Sequence, residues 1–139
     1  MNLNLNMMNR VRNPNRIPFD VFSKSLQDKL IELGYKKEES SSSTSSTTFY
    51  LFYYNKKKHT VPGYYEYFSI NSYFGYVHFI NSIENNPFEC CNRFSSPLDF
   101  TKENLDKLFE KATNYAANSK KCKIQAKLDE IEKDFDRWM

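Results

Sequence analysis

Apolar positions in this chain follow two periods, and the changes between them divide it into three parts. Between Pro18 and Leu33, the residues Phe19, Phe22, Leu26, Leu30 and Leu33 recur at spacings of three and four, with Ile31 alongside. A helix of 3.6 residues per turn carries such a stripe on one face. Asp20 stands where a capping acceptor serves a helix start, and Gly34 stands at the C′ position, where a missing Cβ permits left-handed backbone. Tyr35 then falls at C″, where an apolar contact often closes the turn. The spacing predicts a helix over 18–33 with a sharp stop.

From Phe49 to Phe94 the period is two. Phe49–Tyr54 is apolar on both faces, which predicts a covered strand. After the polar turn Lys56–Gly63, the run Tyr64–Ile70 places Phe68 and Ile70 on one face, with Tyr65 and Tyr67 on the other. A turn at Asn71 and Ser72 leads to a third strand, Tyr73–Ile80, and Asn85-Asn86-Pro87 leads to a fourth, Phe88–Phe94. Short connections favour an antiparallel meander of three to four strands. The stretch 38–48 has no apolar residue to offset the entropy of ordering it, and is expected to be a flexible Ser/Thr-rich linker.

Helical spacing returns at Thr101, a suitable N-cap, with Phe100 and Leu105 placed as a hydrophobic staple. One stripe holds Leu105, Leu108, Phe109, Ala112 and Ala116, and a second holds Ile124, Leu128, Ile131, Phe135 and Trp138. At about 100° per residue the two stripes point roughly 110° apart. One straight helix cannot bury both on one surface, so a break or bend is expected near Asn118 and Ser119. The predicted class is α+β: an N-terminal helix, an antiparallel meander of three to four strands, and two C-terminal helical segments or one bent helix. These form one domain over 18–139 after an irregular polar leader at 1–17.

Composition then narrows the function. A length of 139 residues suits one domain. The 3 glycines, Gly34, Gly63 and Gly75, are too far apart for a phosphate-cradling loop or a dinucleotide fingerprint. Asn, Lys and Tyr are abundant, a codon bias of AT-rich genomes. Cys90, Cys91 and Cys122 are odd in number and include a vicinal pair, which argues against a disulfide framework and for a reducing, cytoplasmic compartment. Paired metal-ligand spacings of Cys or His are absent, so neither metal nor cofactor is assigned. No apolar run approaches the ~18 residues of a membrane span, and the N-terminus has no continuous apolar segment of the secretory kind. His59, beside three lysines, and His78, on a strand, have no nucleophile or carboxylate at a recognised spacing. No catalytic residue is assigned.

A small, non-catalytic protein-binding module is the expected function, with Tyr54, Tyr64, Tyr65, Tyr67 and Trp138 as hot-spot side chains. Within that class a short, motif-poor, AT-rich chain suggests a phage- or mobile-element-encoded inhibitor of a host defence complex. The alternative is binding of single-stranded nucleic acid or RNA by the aromatic strands. Its basic groups would be Arg10, Arg12 and Arg16 in the leader and Lys56, Lys57, Lys58 and His59 in the loop. Against it, the basic and acidic side chains of 49–100 balance. The 124–138 stripe is expected to pack on the sheet as core. Left uncovered, its basic first half and acidic second half would suit an antiparallel homodimer through 120–138.

Overall fold

The computed structural model describes residues 15–40, 45–82 and 91–138. Arg10, Arg12, Phe88 and Cys90 lie outside them. Helix α1 (Phe19–Glu32) leads into strands β1 (Lys36–Glu39), β2 (Ser46–Tyr53), β3 (Gly63–Asn71), β4 (Tyr76–Ile80) and β5 (Cys91–Phe94). A 3-10 turn at Pro97–Asp99 then precedes helix α2 (Lys102–Trp138). The strands form one antiparallel sheet in sequential order, so the α+β meander holds with five strands.

α1 ends as its sequence dictates. The Tyr35 N–H donates to the Leu30 carbonyl and the Gly34 N–H to the Ile31 carbonyl, both at 3.0 Å, with Gly34 at φ +94°. This Schellman closure turns Tyr35 inward, where its hydroxyl donates to the Ala112 carbonyl of α2 at 2.8 Å. Asp20 lies in the first turn rather than at the cap, where Pro18 stands.

Four features depart from the sequence reading. First, β1 occupies part of the expected linker, because backbone pairing with β2 holds it without any buried side chain. Lys36 pairs with Tyr50 and Glu39 with Thr47, while all four of its side chains stay exposed. Charged side chains suit an edge strand. At the other boundary, the Lys102 N–H donates to the Asn15 carbonyl and the Ile17 N–H to the Phe100 carbonyl, so the last residues of the expected leader are tied to the domain.

Second, β3 carries a bulge. Phe49 faces Phe68 but Tyr50 faces Glu66, leaving Tyr67 as the extra residue. A bulge puts two consecutive side chains on one face. Tyr67 and Phe68 both turn inward, their rings 5.3 and 6.0 Å from that of Tyr115 on α2. Third, the β3–β4 turn falls later than expected. The Asn71 side chain accepts the Phe74 N–H at 2.7 Å, and Gly75 takes φ +70°. Tyr73 and Phe74 therefore sit exposed at the turn instead of in a strand.

Fourth, α2 runs unbroken through Asn118 and Ser119. Thr101 caps it, accepting the Asn104 N–H at 3.1 Å. A break would leave several backbone N–H and C=O groups without helical partners, and no Gly or Pro lowers that cost. The helix stays whole and the second apolar stripe stays out of the core.

The core joins Phe22, Leu26 and Leu30 of α1, Leu105, Leu108, Ala112 and Tyr115 of α2, and the inward residues of β2–β4. Its phenols are matched unequally. Tyr35 and Tyr115 donate to the carbonyls of Ala112 and Ile80, whereas the Tyr67 hydroxyl has no partner among the described residues. Burial pushes all three phenols up, that of Tyr115 to about 12. Removing a bonded hydroxyl costs about 1 kcal/mol, while removing an unpaired buried one relieves its desolvation penalty. Tyr35→Phe is therefore expected to lower the urea midpoint and Tyr67→Phe to raise it by a comparable amount, with the denaturant slope unchanged.

Candidate functional site

Taking about 100° per residue, the buried face of α2 centres on Leu105, Leu108, Ala112, Tyr115, Ala116, Ser119 and Cys122. Ile124, Leu128, Ile131, Phe135 and Trp138 centre roughly 140° away from it. With the first set against the sheet, the second faces outward. Its side chains are 61%, 54%, 59%, 66% and 88% exposed. The expectation that this stripe is core is overturned, because the helix buries its other face. Beyond Cys122 only Asp129 on α2 is buried, and every residue from Glu130 to Trp138 is exposed. Those last residues project roughly 13 Å along the helix axis.

Asp129 is the final tie between the helix and the rest of the fold. Its carboxylate accepts from the Tyr54 hydroxyl at 2.6 Å, the Gln125 amide at 2.9 Å and the Lys56 ammonium at 3.3 Å. Lys56 also reaches Glu132 at 3.5 Å. The hydrogen bond from Tyr54 is the main reason the Asp129 carboxyl lies below its ordinary value, with Gln125 and Lys56 adding to it against the opposing effect of burial. The hydrogen bonds to Asp129 raise the pKa of both Tyr54 and Lys56, holding the phenol and the ammonium protonated.

A second aromatic group lies on β2 and β3, at the margin of the core. Phe52 and Tyr64 meet edge to face at 5.7 Å, and the Lys36 ammonium sits 4.0 Å from the Tyr64 ring centre. Lys123 of α2 approaches the same ring at 5.9 Å. Lys36, Lys37, Glu38, Tyr50 and Tyr64 line a groove of about 490 Å³. Farther along, Arg93 lies 4.4 Å from the Tyr76 ring.

The residues singled out from sequence do not converge on one surface. Trp138 ends the helical stripe, Tyr64 lies in the groove, and Tyr54 is committed to Asp129. Tyr65 is half-buried, donating to the Val61 carbonyl, and Tyr67 is core. Arg16 bridges to Thr101 rather than extending from a loose arm. Of the basic loop, Lys56 is neutralised by α2, while Lys57, Lys58 and His59 occupy an exposed turn. Asp129 and Lys36 were missed. Two of the three partners of Asp129, Tyr54 and Lys56, lie more than 70 residues away in sequence, and Lys36 needed β1 to place it. Among the described residues no His, Cys, Asp or Glu cluster could hold a metal, and no helix is long and apolar enough to cross a membrane.

The Asp129 tie has a pH signature. A carboxyl whose folded value lies below its unfolded one stabilises the fold above the unfolded value, and that stabilisation is lost as pH falls towards the folded value. The ordinary value is 3.8, so the contribution is complete above roughly pH 5 and declines below about pH 4. Asp129→Asn is expected to show a smaller loss of thermal stability than the wild type on acidification through this window, read by circular dichroism.

Comparison with protein-family models, with curated proteins and with solved structures returns no match, and function is read from this chain's own geometry.

Proposed function

We propose that this chain is a small, non-catalytic protein-binding module that docks through the outward face of α2 from Ile124 to Trp138. One observation carries the reading. Five large apolar side chains lie in register along a projecting helix, each more than half exposed. Scattered exposed apolar residues are ordinary, whereas a contiguous row rimmed by charge marks an interaction site. An amphipathic helix presenting anchors at spacings of three and four is a common recognition element. Inhibition of a host defence complex is the finer form of this proposal.

The aromatic sheet face supports a second reading, binding of single-stranded nucleic acid, because Tyr50, Tyr64, Lys36 and Lys37 share one groove. Two features weigh against it. Lysine already occupies the Tyr64 ring, and Glu38 lines the same groove.

Two measurements separate these readings. Leu128→Glu and Ile131→Glu are expected to keep the wild-type melting temperature closely, since surface substitutions usually change stability by within about 0.5 kcal/mol. Proteins retained from native-host lysate by the wild type should be lost from both variants. Retention of the same proteins by all three baits overturns the assignment of the stripe. Labelled oligonucleotides at low salt are expected not to bind. Binding that weakens with salt, with a slope near the number of phosphates neutralised, would instead establish the nucleic-acid reading.

A further inference from the structure

We propose that the occupant of the Ile124–Trp138 stripe is a second copy of this chain, its α2 packed antiparallel to the first. The proposal rests on reading the stripe as a docking surface and names its partner.

The spacing is that of a helix–helix seam. Ile124, Leu128, Ile131, Phe135 and Trp138 follow steps of four, three, four and three, the a/d alternation of a heptad repeat. Two heptads are too few to order a free peptide. Here the helix is already formed, rooted in the core as far as Cys122 and tied down again at Asp129. Little ordering cost remains to oppose association.

The position of the stripe leaves room for the second helix. It faces roughly 140° away from the surface that α2 buries. A partner helix lying along it meets the back of α2 rather than the sheet.

Charge makes two antiparallel copies of this segment complementary. Lys120, Lys121, Lys123 and Lys127 precede Glu130, Glu132, Asp134 and Asp136. Antiparallel copies set the basic block of each beside the acidic block of the other, whereas in parallel copies only Lys127 would meet an acid across the seam, Glu132 of the second copy. An antiparallel two-fold pairs Leu128 with Ile131 of the second copy, and Ile124 with its Phe135. Groups on the same flank of the seam then meet. Lys127 faces Asp134 of the second copy, Gln125 faces its Glu132, and symmetry repeats each contact.

The area available sets the expected strength. Five partly exposed apolar side chains per copy offer on the order of 500 Å², or about 1,000 Å² for the pair, at the lower edge of specific interfaces. A dimer dissociating in the micromolar range is the expected result.

Sedimentation equilibrium of the full chain tests this. The wild type should pass from dimer to monomer on dilution through the micromolar range. Leu128→Glu should be monomeric throughout with unchanged circular dichroism. Lys127→Glu opposes two like-charged pairs across the seam and should weaken the dimer by about tenfold or more. Adding Asp134→Lys to it should restore near-wild-type association. In a parallel seam position 127 would instead meet Glu132 of the second copy, and the change at position 134 would leave that repulsion in place. Failure of the rescue therefore overturns the antiparallel assignment. A dimer that survives Leu128→Glu overturns the proposal by placing the interface elsewhere. A wild type that is monomeric throughout also overturns it. If that monomer still retains lysate proteins that Leu128→Glu loses, only self-association has failed and the docking surface stands.

Discussion

An α-helix is rigid, and α2 carries two apolar faces that no single surface can cover. The sheet and α1 receive the face built from Leu105, Leu108, Ala112, Tyr115 and Ala116. The backbone then continues without interruption, because hydrogen bonds lost at a break have no local substitute. The second face is left in solvent as a consequence. An intact helix thus both completes the core and creates the exposed row that serves as the candidate docking surface.

Where apolar packing on α2 ends, polar contacts take over. Asp129 gathers Tyr54, Gln125 and Lys56 at the far end of β2 and the start of the following loop. A buried carboxylate is tolerated when its lone pairs are satisfied by several donors, one of them cationic. The arrangement pairs one lysine of a three-lysine loop with acids of α2, which offsets part of the positive charge a phosphate backbone would meet. It also sets the direction in which the exposed helical end leaves the domain.

The aromatic richness of the strands divides between two environments. Inside, tyrosines fill volume as phenylalanines do, but their hydroxyls need acceptors. Tyr35 and Tyr115 find backbone carbonyls, whereas the bulge that brings Tyr67 inward leaves its hydroxyl unpaired among the described residues. Outside, Lys36 and Arg93 lie over the rings of Tyr64 and Tyr76. Rings already covered by cations differ from the open faces on which bases stack in single-strand platforms.

The elements whose cause is local were legible in the sequence. Gly34 stops α1 because only a residue without a Cβ adopts that backbone freely. Thr101 starts α2 because its hydroxyl meets a free N–H, and alternation sets the meander because side chains on a strand point in turn to opposite faces. Everything depending on partners distant in the chain was decided by tertiary structure. β1 exists because β2 offers it a backbone to pair with, despite four charged side chains. Tyr67 faces inward because a bulge shifts its register, and Asp129 is buried because Tyr54 and Lys56 are carried to it. The periodicity of Ile124 to Trp138 announced an apolar face, but periodicity does not say what covers it. That was settled by which side of a continuous helix met the sheet first, since burying one side of a rigid cylinder exposes the other.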